Sequence, residues 1–351
     1  MLGSHSRRII LPRPGGPARR WSLHAPVAPP RWVRVTALRR ETEDAVTLTV
    51  APEDGRTLPF RAGQYLTHCF TIDGAEERRA YSLSSAEGGA LSCTIKLLPD
   101  GRVSRYIAQQ LKVGDRYRVI GPGGDFTLDA GHSGPLVLLA GGSGITPVIS
   151  LVETALAQQP TRPVRLVTVN RDRAHAIFHE RLEALALRYA ALEYTPVFTA
   201  DTGRPDAATL AGLLRPDAQG VVYLCGPQAL MDAADAGLRA AGFDPARIRR
   251  ERFVPAPRHQ PRPTEPQDIF FRRSERTVTQ QPGETILEAG TRAGLRLDFS
   301  CTVGGCGHCK VRIVDGQVRL DEPNCLTPEE RSAGYTLACS ACATTPITVD
   351  A

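Results

Sequence analysis

The chain has 351 residues, enough for two or three domains, and its 42% hydrophobic and 23% charged residues are typical of an ordinary globular protein. The formal net charge of +6 is concentrated at one end, because nine arginines and no acidic residue lie within residues 1–40. The rest of the chain is close to neutral. We therefore expect no basic face for phosphates and no nucleic-acid partner.

The N-terminal arm, residues 1–31, is rich in Arg, Pro and Gly and lacks the apolar core of a secretory signal. An Arg-rich arm without acidic residues fits an organellar presequence, but its prolines interrupt any amphipathic helix. A disordered basic arm is the favoured prediction. The longest uncharged run, Gly134–Val152, is broken by glycine and proline, so we expect no membrane span. Nine cysteines, an odd number, favour a reducing compartment and a cytoplasmic location.

Residues 32–130 alternate short apolar runs with turn residues, as in Ala45–Val50, Cys93–Leu97 and Tyr117–Ile120. This pattern predicts a small antiparallel β-barrel domain.

Two motifs in this region contain groups that could hold a flavin. One is Arg79-Ala80-Tyr81-Ser82, which alone is also typical of a sheet edge. The other is Gly101-Arg102-Val103-Ser104, which follows a strand and is predicted to open a helix, where backbone amides bind anionic oxygens. We expect Arg79 to face a pyrophosphate, Tyr81 to pack on the flavin ring, and Ser82 to lie near its reactive nitrogen.

Residues 131–254 change to apolar strands alternating with helical stretches, which predicts an α/β domain with a parallel sheet. The predicted strands are Leu136–Leu139, Val164–Val169 and Val221–Leu224, and the predicted helices are Pro147–Gln158, His175–Arg188 and Gln228–Ala241.

Directly after the first of these strands comes Gly141-Gly142-Ser143-Gly144, followed by Thr146. Glycines at a strand-to-helix turn let the backbone approach a pyrophosphate, and a helix start donates N–H groups to it. The turn is neither a G-x-G-x-x-G fingerprint nor a P-loop, so on its own it predicts a dinucleotide site only weakly. Cys225-Gly226-Pro227 ends a later strand, where ligands bind in open α/β sheets, although a buried thiol and a turn would look the same.

The end of the second strand carries Asn170, Arg171, Asp172 and Arg173. Either arginine could bind a 2′-phosphate, whereas Asp172 could accept from a ribose hydroxyl, and surface charges with no ligand remain an alternative. The prediction leans towards NADPH over NADH.

A Pro- and Arg-rich stretch, residues 255–267, predicts an extended linker to a compact unit over residues 268–351. That unit contains Cys301-x4-Cys306-x2-Cys309 and a fourth cysteine, Cys339. This is the plant-type spacing for a [2Fe–2S] cluster held by four thiolates. Structural zinc sites and disulfides are the alternatives, but zinc sites usually bring their cysteines in two short pairs.

These motifs stand in one order along the chain, together with Gly101–Tyr106, Leu224–Asp232 and Arg250–Phe253. In that order the chain resembles the ferredoxin–NADP reductase superfamily, in the branch of oxygenase reductases that carries a C-terminal plant-type ferredoxin domain. The resemblance covers residues 32–351. It implies a flavin barrel, a nucleotide-binding α/β domain and an α+β ferredoxin domain of the β-grasp type.

The resemblance also implies site residues. Those for FAD are Arg79, Ala80, Tyr81, Ser82, Gly101, Arg102, Val103 and Ser104. Those for the nicotinamide dinucleotide are Gly141, Gly142, Ser143, Gly144, Thr146, Asn170, Arg171, Arg173, Cys225, Gly226 and Pro227. Ser82, Cys225 and Phe253 are expected at the reacting rings. A related subgroup that uses FMN lacks the Gly-x-x-Ser turn, so the presence of this turn favours FAD.

A flavin accepts two electrons from NAD(P)H and releases them singly, so it is expected to stand between the dinucleotide and the cluster. The implied partner is an oxygenase, hydroxylase or desaturase component that accepts the electrons. A redox sensor and a self-contained reductase of a small acceptor such as a quinone are the alternative functions. Four other cysteines, Cys69, Cys93, Cys325 and Cys342, are predicted core residues, and Cys342 is the one expected to affect cluster stability.

Overall fold

The computed structural model describes residues 30–129, 131–253 and 262–351. The predicted basic arm up to residue 29, and the part of the predicted linker up to residue 261, lie outside the described residues. Within the described part, no helix is both long and apolar enough to cross a bilayer.

The first sheet is antiparallel, has six strands, and follows the order β4-β3-β6-β1-β2-β5. Its strands are β1 (Arg31–Thr42), β2 (Ala45–Pro52), β3 (Tyr65–Ile72), β4 (Ala75–Ser82), β5 (Leu91–Lys96) and β6 (Arg116–Gly123), with helix α1 (Arg102–Gln109) between β5 and β6. A bridge between Leu83 and Cys93 links the end of β4 to β5 and joins the two edges. The sheet thus forms the predicted barrel around apolar side chains such as Leu48, Leu66 and Phe70.

The second sheet is parallel and has the order β11-β10-β7-β8-β9. Its strands are β7 (Leu136–Gly141), β8 (Val164–Asn170), β9 (Leu192–Phe198), β10 (Val221–Cys225) and β11 (Ile248–Glu251), and its helices are α2 (Ile145–Gln158), α3 (His179–Arg188), α4 (Thr199–Thr202), α5 (Ala207–Leu214) and α6 (Gln228–Ala240). Apolar clusters cover both faces of this sheet, which is why its strands read as continuous hydrophobic runs. β9 and α5 lie outside the segments that the sequence pattern predicted.

The C-terminal unit is a mixed five-stranded sheet in the order β13-β12-β18-β14-β16, beside a two-stranded sheet, β15-β17. Its elements are β12 (Gln267–Phe271), β13 (Arg276–Gln280), α7 (Ile286–Arg292), β14 (Lys310–Asp315), β15 (Val318–Leu320), α8 (Pro328–Ser332), β16 (Tyr335–Leu337), β17 (Ala341–Ala343) and β18 (Ile347–Asp350). A strand sheet with α7 packed on its core is the predicted α+β arrangement.

The barrel is fastened to helix α2 by hydrogen bonds from two buried hydroxyls. The Ser150 hydroxyl donates to the Ser85 carbonyl (2.6 Å) and accepts from the Gly63 amide (3.3 Å). The Glu87 amide donates to the Thr154 hydroxyl (2.9 Å). These bonds hold the loop that follows β4 against the helix that follows β7, so the two predicted cofactor motifs lie at one interface.

Candidate functional site

The four cysteines of the spacing motif come together around one loop. Cys301, Cys309 and Cys339 are buried and Cys306 is half-buried. The Cys301 amide points to the Cys306 sulfur, and the Val303 amide points to the Cys301 sulfur, both at 3.5 Å. Amides aimed at thiolate sulfurs stabilise the negative charge of an iron–sulfur cluster.

The four thiols form two pairs, since Cys301 hydrogen-bonds with Cys306, and Cys309 with Cys339. In the parts of the chain that the structure describes, no three His, Cys, Asp or Glu side chains are arranged to hold a single metal ion. A tetrahedral zinc site needs four ligands around one ion. Two thiolate pairs instead fit the two irons of a [2Fe–2S] cluster, so the residues present fit the cluster.

Two further cysteines, Cys325 and Cys342, lie near the motif in sequence, and they have different surroundings in the structure. Cys342 is buried on β17, where its neighbours include Arg262 and Asp321. Cys325 lies beside the cluster loop, because its amide donates to the Gly304 carbonyl (2.9 Å) and its sulfur would lie 3.6 Å from a Cβ at Gly307. Burial raises the pKa of Cys325 to about 12. Cys325 is thus a further cysteine beside the predicted cluster loop, which the sequence spacing did not indicate.

The predicted flavin motif occupies strand β4. Ser82 is buried and is the register partner of Tyr65 on β3. The Tyr81 ring packs against the ring of buried His68 at a centroid distance of 5.6 Å, and burial lowers the pKa of His68 to about 3, so this imidazole is neutral. Arg79 forms an ion pair with Glu77 (3.3 Å).

Helix α1 begins at the second predicted flavin motif. No side chain caps Gly101, so the first amides of the helix are not bound by a capping group. The Ser104 hydroxyl turns back into the loop, donating to the Gly101 carbonyl (3.1 Å) and accepting from the Leu98 amide (3.2 Å). Arg102 pairs with Glu77 (2.9 Å), the same carboxylate that pairs with Arg79. Two guanidinium groups close to an uncapped helix start fit a pyrophosphate.

The helices that begin at the predicted cofactor turns lack a side-chain cap, whereas most other helices of the described residues have one. Helices α2 and α6 begin at Gly144 and Pro227 without a side-chain cap, as α1 does, and α3 and α4 also lack one. By contrast, Asp206, Thr285 and Thr327 cap α5, α7 and α8. Because α2 follows β7 and α6 follows β10, these two uncapped starts lie at the carboxyl end of the parallel sheet, where an anion can approach.

The glycine-rich turn and the Cys-Gly-Pro turn contact each other directly. A Cβ added to Gly144 would lie 2.2 Å from the Cys225 carbonyl oxygen, and one added to Gly141 would lie 2.7 Å from Pro227. Gly142 has a positive φ of 53° and has no atom within 4 Å of its missing Cβ, so this side of the turn faces open space. The turns pack together on one side and leave room on the other, which fits a dinucleotide backbone.

A buried carboxyl beside Cys225 was missed by the sequence reasoning. Glu251 on β11 is the register partner of Cys225 on β10, and its Oε2 atom is enclosed with no hydrogen-bond partner among the described residues. Burial raises the pKa of Glu251 to about 8, and burial together with this carboxyl raises the pKa of the Cys225 thiol well above its usual value. Both groups are thus protonated at neutral pH. The Arg250–Phe253 segment contains this glutamate, but the sequence motif predicted a role only for Phe253.

The strand end at Asn170 holds a compact charged turn. The Asp172 carboxylate accepts from the His175 amide (3.0 Å) and contacts the His175 ring (2.6 Å). Arg171 also reaches Asp172 (3.2 Å), whereas Arg173 is paired with Glu183 (2.9 Å). Asn170 is buried. Phe253, two residues beyond β11, is 43% exposed and is the last described residue before the gap.

Three family models match successive parts of the chain. They are an oxidoreductase FAD-binding domain over residues 33–128, an oxidoreductase NAD-binding domain over residues 138–236, and a 2Fe-2S iron-sulfur cluster binding domain over residues 269–344.

Similar proteins cover nearly the whole chain. One component of the 1,2-phenylacetyl-CoA epoxidase of Escherichia coli is 32% identical over 90% of this chain and 95% of its own length. The ferredoxin reductase component of 3-ketosteroid-9-alpha-monooxygenase from Rhodococcus rhodochrous is 32% identical over 88% of this chain and 92% of its own length. The solved structure of phthalate dioxygenase reductase superposes with a TM-score of 0.67 at 24% identity, covering 92% of this chain and 98% of that one, and shows the same fold.

The fold and the sites define an iron–sulfur flavoprotein reductase. The chain belongs to the ferredoxin–NADP reductase superfamily, in the branch with a C-terminal [2Fe–2S] domain. It is an oxidoreductase with FAD-binding, NAD-binding and [2Fe–2S] domains, as the sequence predicted.

Proposed function

We propose that this reductase takes electrons from NADPH and delivers them singly, through FAD and the [2Fe–2S] cluster, to a partner oxygenase component in the cytoplasm. One observation carries the proposal: the three predicted sites are linked by direct contacts. Gly144 touches Cys225, the Ser85 loop is bonded to α2, and the cluster loop lies against β3, whose Tyr65 is the register partner of Ser82.

Each group of predicted site residues would hold or orient a different part of the cofactors. When bound, the flavin supplies the conversion of a two-electron donor into one-electron steps. Arg79, Arg102 and the amides at Gly101 would hold its pyrophosphate, and Tyr81 and Ser82 would hold its ring. Ser82, Cys225 and Phe253 would orient the two reacting rings, and the neutral thiol of Cys225 brings no charge to that contact. No general acid or base is required of the chain.

The preference for NADPH is supported by the turn after β8. The Asp172 carboxylate is occupied by Arg171 and by the His175 amide, so it is a poor acceptor for a ribose hydroxyl. Arg171 and Arg173 are both about two-thirds exposed. Arg171 contacts Asp172 (3.2 Å) and His175 (3.0 Å), and Arg173 contacts Glu183 (2.9 Å), so either guanidinium would turn from its present partner to bind a 2′-phosphate.

The oxygenase partner is supported by the relatives, which are named as components of an epoxidase and a monooxygenase. A hydroxylase or a desaturase would present the same requirement for single electrons. The nine cysteines carry no disulfide among the described residues, and the reducing cytoplasm would keep them so.

The test is an anaerobic titration of the full chain, first with NADPH and then with NADH, followed by visible absorbance and electron paramagnetic resonance. We expect flavin bleaching and a reduced [2Fe–2S] signal, with NADPH effective at the lower concentration. If neither nucleotide reduces the flavin, the proposed function is wrong, and a redox sensor becomes the better explanation.

A further inference from the structure

An aromatic pair, Tyr65 and His308, joins the barrel to the cluster loop. The Tyr65 hydroxyl lies 3.1 Å from Nδ1 of His308, and the two rings meet edge to face at a centroid distance of 6.2 Å. Tyr65 belongs to β3 of the barrel, whereas His308 lies between the ligands Cys306 and Cys309. The two residues are 243 positions apart in sequence, so this contact is made only by tertiary packing.

On the barrel side, Tyr65 is held firmly. It is buried, and its strand neighbours in the register are Ser82 on β4 and Gly123 on β6. A Cβ added to Gly123 would lie 3.2 Å from the Tyr65 hydroxyl and 3.5 Å from the Ser300 hydroxyl of the cluster unit. The absence of a side chain at Gly123 therefore lets the two units approach closely at this ring.

On the cluster side, the His308 imidazole continues the contact. His308 hydrogen-bonds with the Cys306 sulfur, which raises the pKa of His308. Cys306 also contacts the Tyr65 hydroxyl directly, so it lies on the side of the loop that faces the barrel. A continuous series of contacts thus runs from Ser82 to Tyr65, His308 and Cys306.

We propose that Tyr65 and His308 are positioning residues that hold the cluster loop against the flavin-binding strands, and so set the rate of electron transfer from flavin to cluster. This inference rests on the proposed function. Electron transfer slows steeply as the gap between donor and acceptor widens, and this contact fixes that gap. The Tyr65 ring fills the space between the two sites, and its hydrogen bond to His308 determines how the loop is seated.

The experiment compares Tyr65→Phe with the unmodified chain. The ring and its packing stay, and only the contacts of the hydroxyl, with His308, Cys306 and Ser300, are lost. We expect a three- to tenfold slower reduction of the cluster after the flavin is reduced, a factor of about the size that one hydrogen bond supplies. The rate of flavin reduction by NADPH should not change. Both rates are read in one stopped-flow experiment at the wavelengths of flavin and cluster.

A second readout is independent of activity. Amide hydrogen exchange should increase at residues 64–66 and 300–309 in Tyr65→Phe, because the docked contact is weakened on both faces. Gly123→Ala should act in the same direction, since its methyl group would press on the Tyr65 hydroxyl. Tyr335→Phe is the matched control, because it removes a phenol on β16 and should change neither readout.

A double-mutant cycle joins the two residues. If Tyr65 and His308 act through one contact, Tyr65→Phe should have little further effect in a His308→Ala background whose iron content is unchanged. Additive effects would overturn the proposal, as would unchanged cluster reduction and exchange in Tyr65→Phe. If NADPH fails to reduce the flavin in the unmodified chain, only the proposed function fails. The exchange and cycle measurements can then be made with a chemical reductant.

Discussion

The cluster site and the dinucleotide site are assembled in opposite ways. Three of the four proposed cluster ligands lie within residues 301–309, and the backbone of that loop directs its own amides at the sulfurs. The dinucleotide turns come from residues 141–144, 170–173 and 225–227, which meet only because β7, β8 and β10 are parallel neighbours. A change in the loop should therefore act locally, whereas a change in the turns should also affect the sheet.

Cys306→Ser tests the cluster site and should have the largest effect of the substitutions proposed. A serine oxygen is a poor ligand for the cluster, so reduction of a one-electron protein acceptor should fall by about 100-fold or more. Flavin reduction by NADPH should persist, because the other two sites are untouched. Steady-state reduction of cytochrome c and anaerobic flavin bleaching measure the two separately. Loss of both together would contradict the proposed order of electron transfer.

Gly144→Ala tests the dinucleotide side. Its Cβ would lie 2.2 Å from the Cys225 carbonyl oxygen, and the backbone of one turn would have to shift. We expect a loss of about 3 kcal/mol in the free energy of unfolding, together with weaker NADPH binding. Gly212→Ala is the control, since its methyl group meets nothing within 4 Å and should stabilise helix α5 by about 0.5–1 kcal/mol. Denaturant unfolding and nucleotide titration are the measurements, and equal effects of the two variants would refute the packing argument.

Glu251→Gln tests a buried group of the dinucleotide site that only the pairing of strands in the sheet brings to Cys225. The pKa of Glu251 is raised to about 8 from an unfolded value of 4.5, so the folded state binds the proton more tightly. Stability should be full below about pH 4.5 and should fall as the pH rises through about 8, by up to about 5 kcal/mol. The glutamine variant should lose this pH dependence, and exposed Glu43→Gln should keep it. Unfolding curves at pH 5, 7 and 9 measure this dependence. If the free energy of unfolding of Glu251→Gln changes with pH as it does in the unmodified chain, the result would count against the burial of this carboxyl.

Arg171→Ala should have the smallest effect and separate the two nucleotides. Loss of a charged hydrogen bond to the 2′-phosphate should raise the KM for NADPH about tenfold, equivalent to about 1.4 kcal/mol, and leave the KM for NADH unchanged. Arg173→Ala should matter less, because Arg173 is closer to its carboxylate partner Glu183 (2.9 Å) than Arg171 is to Asp172 (3.2 Å). Parallel KM measurements with both nucleotides test this, and an equal rise for both would show that Arg171 does not read the phosphate.

The sequence by itself determined the local features. Cysteine spacing over residues 301–309 predicts the cluster ligands, and the strand, glycine turn and helix around Gly141–Gly144 were predicted to within a few residues. These features depend on distances along the chain and on backbone preferences, which a single sequence displays directly. The family motifs added the three-domain order.

Only the tertiary structure decided which distant residues meet. Glu251 lies beside Cys225 because β11 pairs with β10, and Cys325 lies beside the cluster loop because its amide bonds to the Gly304 carbonyl. Tyr65 meets His308 across 243 positions. The register of the strands and the docking of the domains depend on the packing of whole sheets. They therefore cannot be predicted from the spacing of residues along the chain.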